Sequence, residues 1–219
     1  IIDILLYKKK RLHCAFLDLE KAFDKIDRAL LWQKLLNLGI EGKFLNVVVN
    51  MYSNAKSCVM TSKGEFSEFF QTHIGVRQGE NLSPLLFALF LNDMKENLIE
   101  GLDGLKTVVS EARGVKMTED DIDVFLNLFV LLYADDSVIF SESVAGLQKG
   151  LDLVKEYCNK NKLILNVKKC KVVIFSRGKI RNIPNFFIGT EKVDVVSDFV
   201  YLGLKLNYNN KMYVAQRDL

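Results

Sequence analysis

Two adjacent acids, Asp135 and Asp136, interrupt the apolar run "NLFVLLYADDSVIFSES" at residues 127–143, and a third, Asp18, closes the shorter apolar run "HCAFLDL" at residues 13–19. Carboxylates that close repel, and one of them holds its proton unless a cation lies between or beside them. A divalent cation resolves the conflict. Mg²⁺ takes hard oxygen ligands and keeps waters and substrate phosphates as the rest, so one or two protein carboxylates suffice. Asp-Asp is also ordinary turn chemistry, and alone the pair reads that way. Asp18 changes the weighing. If its strand neighbours the Asp135–Asp136 tip in one sheet, three acids from two strand ends can hold two ions roughly 3.5–4 Å apart. That arrangement activates an attacking hydroxyl and stabilises the leaving oxygen in phosphoryl transfer.

The elements that must position these acids follow from periodicity. Residues 125–133 and 137–141 read as two apolar strands around an Ala-Asp-Asp tip, and residues 13–19 as a strand ending near Asp18. Asp27 is placed to cap a helix through Leu38, with Gly39 as its stop; Phe44, Val47, Val48, Met51 and Tyr52 then fall at helical spacing on one face. "KSCVMTSKGEFSEFFQTHI" alternates about Lys63-Gly64-Glu65 as a hairpin does, and Ser83 as N-cap with Pro84 at N1 opens an apolar helix to about Leu98. Residues 100–123 lack a period and are expected to form an irregular insertion. A helix follows with Val144, Leu147, Leu151, Val154 and Cys158 on one face, then strands at 171–176, 186–188, 192–196 and 199–206. This order predicts an α+β fold with helices packed on one face of a mainly antiparallel sheet.

With 219 residues, 49% hydrophobic and 11% aromatic, the chain can bury a core as one domain or a domain plus an appendage, which excludes a disordered tail. No apolar run reaches the roughly 18 residues of a membrane span, and "IIDILLYKKKRLHC" lacks the order of a signal peptide, so a soluble, intracellular chain without a membrane partner is expected. Starting at Ile1 and stopping at "YVAQRDL", it reads as a piece of something longer. Cys14, Cys58, Cys158 and Cys170 show no short spacing and have only His13 and His73 beside them, so they read as core or surface residues rather than a zinc cluster. Residues 157–190 carry basic side chains at 160, 162, 168, 169, 171, 177, 179 and 181 and no acid. Such a run is a candidate polyanion-facing surface, or simply a solvated face.

Five segments, "FLDLEKAFDKID", "GVRQGENLSPLLFALFLND", "LLYADDSVIF", "LNVKKCKVVIF" and "FVYLGLKL", resemble blocks A to E of reverse transcriptases in order, and the chain is similar throughout to those of non-LTR (LINE-type) retrotransposons. The resemblance implies a polymerase palm with partial fingers and no thumb. Residues 1–185 would be the palm with part of the fingers at about 40–80, and residues 186–219 the block E strands that support a primer and lead towards a thumb. It implies an RNA-directed DNA polymerase using two Mg²⁺ ions, with Mn²⁺ as a substitute. An RNA template, a DNA primer and deoxynucleoside triphosphates would be its partners, in a ribonucleoprotein of nucleus and cytoplasm.

The same resemblance assigns Asp18 and Asp135 as principal metal ligands, Asp136 as their support and the Leu19 carbonyl as a neighbour of one ion. Phe23 matches the bulky position that blocks a ribose 2′-hydroxyl, with a core phenylalanine as the alternative. Arg77, Gln78 and Gly79 match the loop against which the nucleotide lies. Gly79 allows close backbone approach and Gln78 can bond sugar or phosphate, with a surface charge as the alternative for Arg77. Lys169, with Lys168 and Lys171 as confusable neighbours, matches the lysine that neutralises or protonates departing pyrophosphate. Tyr133 would lie beside the primer terminus and Tyr201, Leu202 and Gly203 would support the primer end, burial in a core being the alternative for both tyrosines. The basic run would then contact template and primer phosphates without reading sequence.

Only seventeen residues precede Asp18 and none beyond block E supply a thumb, so weak or no activity is expected of the chain alone. Two other readings stand: a group II intron-type reverse transcriptase, and a catalytically inactive nucleic-acid-binding remnant or domesticated palm protein. The three intact acids argue against decay.

Overall fold

A computed structural model describes residues 2, 6, 9–94, 136–178, 180–209 and 213–214, with Asp136 and residues 213–214 as backbone. In chain order the elements are β1 (Leu12–Asp18), α1 (Arg28–Asn37), α2 (Gly42–Ser53), β2 (Lys56–Ser57), β3 (Phe70–Gln71), α3 (Ser83–Phe90), β4 (Asp136–Ser141), α4 (Val144–Lys160), β5 (Lys171–Phe175), β6 (Phe186–Ile188), β7 (Glu191–Val196), β8 (Asp198–Tyr201), β9 (Leu204–Asn207) and β10 (Tyr213–Val214). The chain divides into two compact units: Ile1–Glu20, Asp93–Lys160 and Ile164–Leu219 form one, and Lys21–Asn92 with Asn161–Leu163 the other. No helix among the described residues is long and apolar enough to cross a membrane. The expected end of a helix near Leu98, the insertion at 100–123 and the strand at 125–133 lie outside the described residues.

The first unit is a five-stranded sheet in the order β4-β1-β5-β7-β6, antiparallel except where β5 and β7 run parallel. Strand β1 is paired along both edges and buried on both faces, which is why it reads as continuous apolar sequence rather than as alternation. Leu12, Cys14 and Phe16 meet Val173, Phe175, Tyr201 and Leu206, with Val138 and Phe140 at the margin. The intervening His13 meets Phe186 edge-on, on the face where α4 packs against β1, β4 and β6. Helix α4 buries Leu147, Leu151, Val154 and Cys158 as its spacing predicts, whereas Val144 is exposed. A Cβ on Gly150 would meet Ile139 Cγ2 at 3.1 Å, so glycine lets the helix close on β4. The sheet thus has a helix on one face, as expected, and the β8–β9 hairpin over the other.

In the second unit, Asp27 Oδ1 accepts the N–H groups of Ala29 (2.9 Å) and Leu30 (3.1 Å), and α1 stops before Gly39 at φ +78°, as the sequence predicts. The hairpin is present too, with β2 paired to β3, a Met60–Phe66 bridge and Gly64 at φ +81° in its turn. Two expectations need correction. Helix α2 buries Leu45, Val48 and Tyr52, while Phe44, Val47 and Met51 face solvent. Those residues form two adjacent stripes, and only one of them meets the core. Ser83 is not the cap of α3: it lies inside the helix, which starts after Leu82 with no side-chain cap. Its hydroxyl is buried at 3.3 Å from the Tyr52 hydroxyl, a partner that outcompetes the helix end. All four cysteines are free thiols, with Cys14, Cys158 and Cys170 buried.

Candidate active site

Asp18 is the last residue of β1, and the register sets it directly opposite Asp136, the first residue of β4. The two strand ends are therefore neighbours, as the reading of the three acids required. Asp135, one residue earlier, and Tyr133 lie outside the described residues. Strand alternation puts Asp18 in line with Leu12, Cys14 and Phe16, on the face that the β8–β9 hairpin covers.

On the other edge of β1, Lys169 Nζ stands 3.8 Å from Asp18 Oδ2. Their side chains are 68% and 28% exposed, so water screens the pair and its value lies in placement rather than stability. The confusable neighbour Lys171 is committed elsewhere, to Asp194 (2.7 Å) and the Lys168 carbonyl (2.7 Å). Its ammonium holds the Asp194 carboxyl below its ordinary pKa.

The backbone at Asp18 is held by the segment that precedes β5. Asn166 N–H donates to the Asp18 carbonyl (2.9 Å) and Glu20 N–H to the Ile164 carbonyl (2.7 Å), bracketing a Leu19–Leu165 bridge. These bonds flank Leu19, so its own carbonyl is not used in that bridge. Asp18 N–H reaches Cys170 Sγ at 3.4 Å, and burial pushes the Cys170 thiol up, keeping it neutral. By residue type, aspartates at neighbouring strand ends and a main-chain carbonyl are hard oxygen donors, the kind of set a Mg²⁺ ion takes. Among the described residues no group of three or more His, Cys, Asp or Glu is gathered to hold a metal ion, Asp135 being outside them.

The β8–β9 turn consists of Leu202 at φ +52° and Gly203 at φ +78°. Two positive φ values are the I′ pattern, whose twist matches that of the strands it joins. Leucine there carries steric strain of about 1–2 kcal/mol. Tyr201 is buried, its ring 5.2 Å from that of Phe16, so the core reading describes it and the exposed Leu202–Gly203 turn is what the hairpin presents.

In the second unit, the loop carrying Arg77, Gln78 and Gly79 is docked on the turn that carries Phe23 and Asp24. Gly75 N–H donates to the Ile26 carbonyl and Val76 N–H to the Phe23 carbonyl, both at 2.8 Å. Gly75 sits at φ +80°, and a Cβ there would lie 2.7 Å from the Asp24 carbonyl oxygen. Arg28 clamps the loop by donating to the carbonyls of Thr72, Ile74 and Gly75, with its guanidinium 5.1 Å from the Tyr52 ring centre. Burial lowers its pKa, yet a guanidinium stays charged from so high a starting value.

Arg77 is engaged within its own unit. It donates to Glu80 (2.7 Å) and the Met51 carbonyl (2.8 Å) and lies 5.5 Å from the centre of the same Tyr52 ring. Gln78 Nε2 donates to Asp24 Oδ1 at 2.9 Å. Gly79 is at φ +86° with open space where a Cβ would be. Phe23 is half-buried and stacks on Phe87 with centroids 5.0 Å apart. Sequence reading missed Asp24 and Arg28, whose partners lie about fifty residues away. Their only signal is an acid in the turn before α1 and a base at the first position of that helix, within "FDKIDR".

Residues 2–206 match the family described as reverse transcriptase (RNA-dependent DNA polymerase). The chain belongs to the reverse transcriptase family. Among relatives of this reverse transcriptase chain, a retrovirus-related Pol polyprotein from a type-2 retrotransposable element of Drosophila melanogaster is 27% identical over 97% of this chain and 20% of that protein. The RNA-directed DNA polymerase from mobile element jockey of Drosophila funebris is 27% identical over 92% of this chain and 20% of that protein. The chain thus spans about a fifth of the length of these non-LTR retrotransposon relatives. Its fold is similar to that of apo telomerase from Candida tropicalis truncated from the C-terminal domain, with a TM-score of 0.60, 15% identity and coverage of 97% of this chain and 38% of that one. The α+β architecture with its curled sheet is that of a polymerase palm. Reverse transcriptases generally use divalent metal ions.

Proposed function

We propose that the chain is the palm, with part of the fingers, of an RNA-directed DNA polymerase of a non-LTR retrotransposon, extending a DNA primer on an RNA template. The observation that carries this reading is the register of Asp18 with Asp136, with Lys169 on the other side of Asp18, in a chain of the reverse transcriptase family. The primer 3′-hydroxyl loses its proton to water as its oxygen bonds to the α-phosphorus of a deoxynucleoside triphosphate, the bond from that phosphorus to the bridging oxygen breaks, and pyrophosphate leaves. Asp18, Asp135, Asp136 and the Leu19 carbonyl would hold two Mg²⁺ ions, for which Mn²⁺ substitutes. When bound, the ions activate the hydroxyl and offset charge on the phosphates.

The protein's own groups do the rest. Lys169 supplies a positive charge and a proton to the departing pyrophosphate. Phe23 fills the space of a ribose 2′-hydroxyl, and Gln78 and Gly79 form the surface against the nucleotide. Arg77, tied to Glu80 and Met51, acts on that surface through the loop it braces. Tyr133 would stand by the primer end, Tyr201 anchors the hairpin whose Leu202–Gly203 turn would support the primer, and the basic run at 157–190 would meet phosphates.

Primer extension on an RNA template with Mg²⁺, using the chain joined to its natural flanks, tests this, with Asp18→Asn and Asp135→Asn as controls. Only the wild type is expected to incorporate deoxynucleotides. Equal incorporation by all three rejects the mechanism, and template binding without extension by any of them supports a non-catalytic nucleic-acid-binding protein instead.

A further inference from the structure

The turn bearing Gln78 rests on the turn bearing Asp24 through backbone contacts that do not depend on either side chain. Gly75 and Val76 bond the carbonyls of Ile26 and Phe23, and Gly75 has no room for a Cβ against Asp24. An isolated hydrogen bond between two exposed side chains would be loose. Between turns fixed this way, the Asp24 carboxylate is on a short tether and meets Gln78 Nε2 at 2.9 Å.

A carboxylate only accepts hydrogen bonds, so it selects the NH₂ end of the carboxamide and leaves Oε1 on the other side. Its negative charge also stands beside the amide, where an approaching phosphate oxygen is repelled and a neutral hydroxyl is not. We infer that Asp24 is a positioning residue that fixes the Gln78 carboxamide with its oxygen outward, so that Gln78 accepts a hydrogen bond from a sugar hydroxyl of the nucleotide rather than donating to its phosphates. This rests on the polymerase function proposed above. It gives Asp24 a role in selection that its distance in sequence conceals.

Asparagine at position 24 keeps the size but offers either amide end to Gln78, whereas glutamate keeps the carboxylate. Extension by the chain in its natural flanks is compared for dTTP and ddTTP, which differ in one sugar hydroxyl. Asp24→Asn is expected to raise KM for dTTP by about fivefold with kcat nearly unchanged, and to reduce preference for dTTP over ddTTP by a similar factor, the size of one weakened hydrogen bond. Asp24→Glu is expected to restore most of that preference. An unchanged dTTP/ddTTP ratio in Asp24→Asn, or equal losses for both nucleotides with a lower Tm, overturns the inference.

A second readout needs no turnover: the side-chain amide resonances of Gln78 in ¹⁵N-labelled chain. They are expected to move in Asp24→Asn and to return with Asp24→Glu, and resonances indifferent to both variants overturn the inference. A wild type that extends neither nucleotide sinks the polymerase reading, while the resonances still decide the Asp24–Gln78 contact.

Discussion

Asp18 stands between a lysine on one edge of its strand and an aspartate on the other: Lys169 Nζ is 3.8 Å from its carboxylate, and Asp136 is its register partner. Lys169 is thus placed to reach what Asp18 reaches. Lys169→Ala is expected to slow incorporation about 100-fold with primer-template affinity little changed, the size of effect a positioned acid or counter-charge supplies. Lys171→Ala, which removes a lysine already bound to Asp194, is expected to leave kcat within about twofold. Single-turnover kinetics separates the two, and equal losses would move the role away from Lys169.

Phe23 stacks on Phe87 and is the residue proposed above as the gate. Phe23→Ala is expected to raise ribonucleotide incorporation and to lower stability by about 2–4 kcal/mol through the lost ring. Phe23→Leu, which keeps much of the packing, separates the effects. Stability loss with no change in ribonucleotide use would return Phe23 to packing alone.

Gly75 and Gly79 both have positive φ, yet only Gly75 is crowded. Gly79→Ala is expected to cost about 1 kcal/mol of backbone strain, and Gly75→Ala clearly more, about 2–4 kcal/mol, because the Asp24 backbone must also move. Urea denaturation of the two variants ranks them.

Arg28 donates to the carbonyls of Thr72, Ile74 and Gly75 together. Arg28→Met keeps the stem but strands those acceptors, and about 2–4 kcal/mol of destabilisation is expected. Arg28→Lys, a point charge without the planar fork, should recover only part of it. Hydrogen exchange at residues 72–79 should quicken in both.

Lys162 Nζ bonds Asp27 Oδ2 at 2.6 Å, and that bond, then those from the N–H groups of α1, hold the Asp27 carboxyl below its ordinary pKa. A pKa lower in the folded than in the unfolded chain means that protonation favours unfolding. The Asp27 contribution is therefore present at neutral pH and fades as pH falls below about 4, through the folded value. Asp27→Ala is expected to cost about 1 kcal/mol at pH 7 and less at pH 3, as read by denaturation at the two pH values.

What the sequence revealed and what it hid divide along a physical line. The Asp27 cap, the hairpin turn at Gly64, the buried stripe of α4 and the acid-ended strands are local or periodic features, readable within a few residues. The neighbourhood of Asp18 and the start of β4 was reachable because β1 ends and β4 begins at an acid. The misplaced face of α2 and the Ser83 cap failed differently: helical period fixes a stripe but not its partner, and Tyr52 takes the Ser83 hydroxyl from thirty-one residues away. Asp24 and Arg28 were invisible because their contacts are made with a loop distant in sequence and mostly with its backbone, which leaves no residue pattern.

The pairing of β1 also sets a clock on synthesis. Its strand partners begin at residues 136 and 171, so the seven residues Leu12–Asp18, apolar towards both faces, are made long before either neighbour exists. At about 5–20 residues per second, a ribosome takes roughly 8–30 s to travel from the end of β1 to the end of β5. Until β4 is made both edges of the strand lack their partners, and until β5 is made one still does. The acid at its tip is translated before either of the strands that flank it.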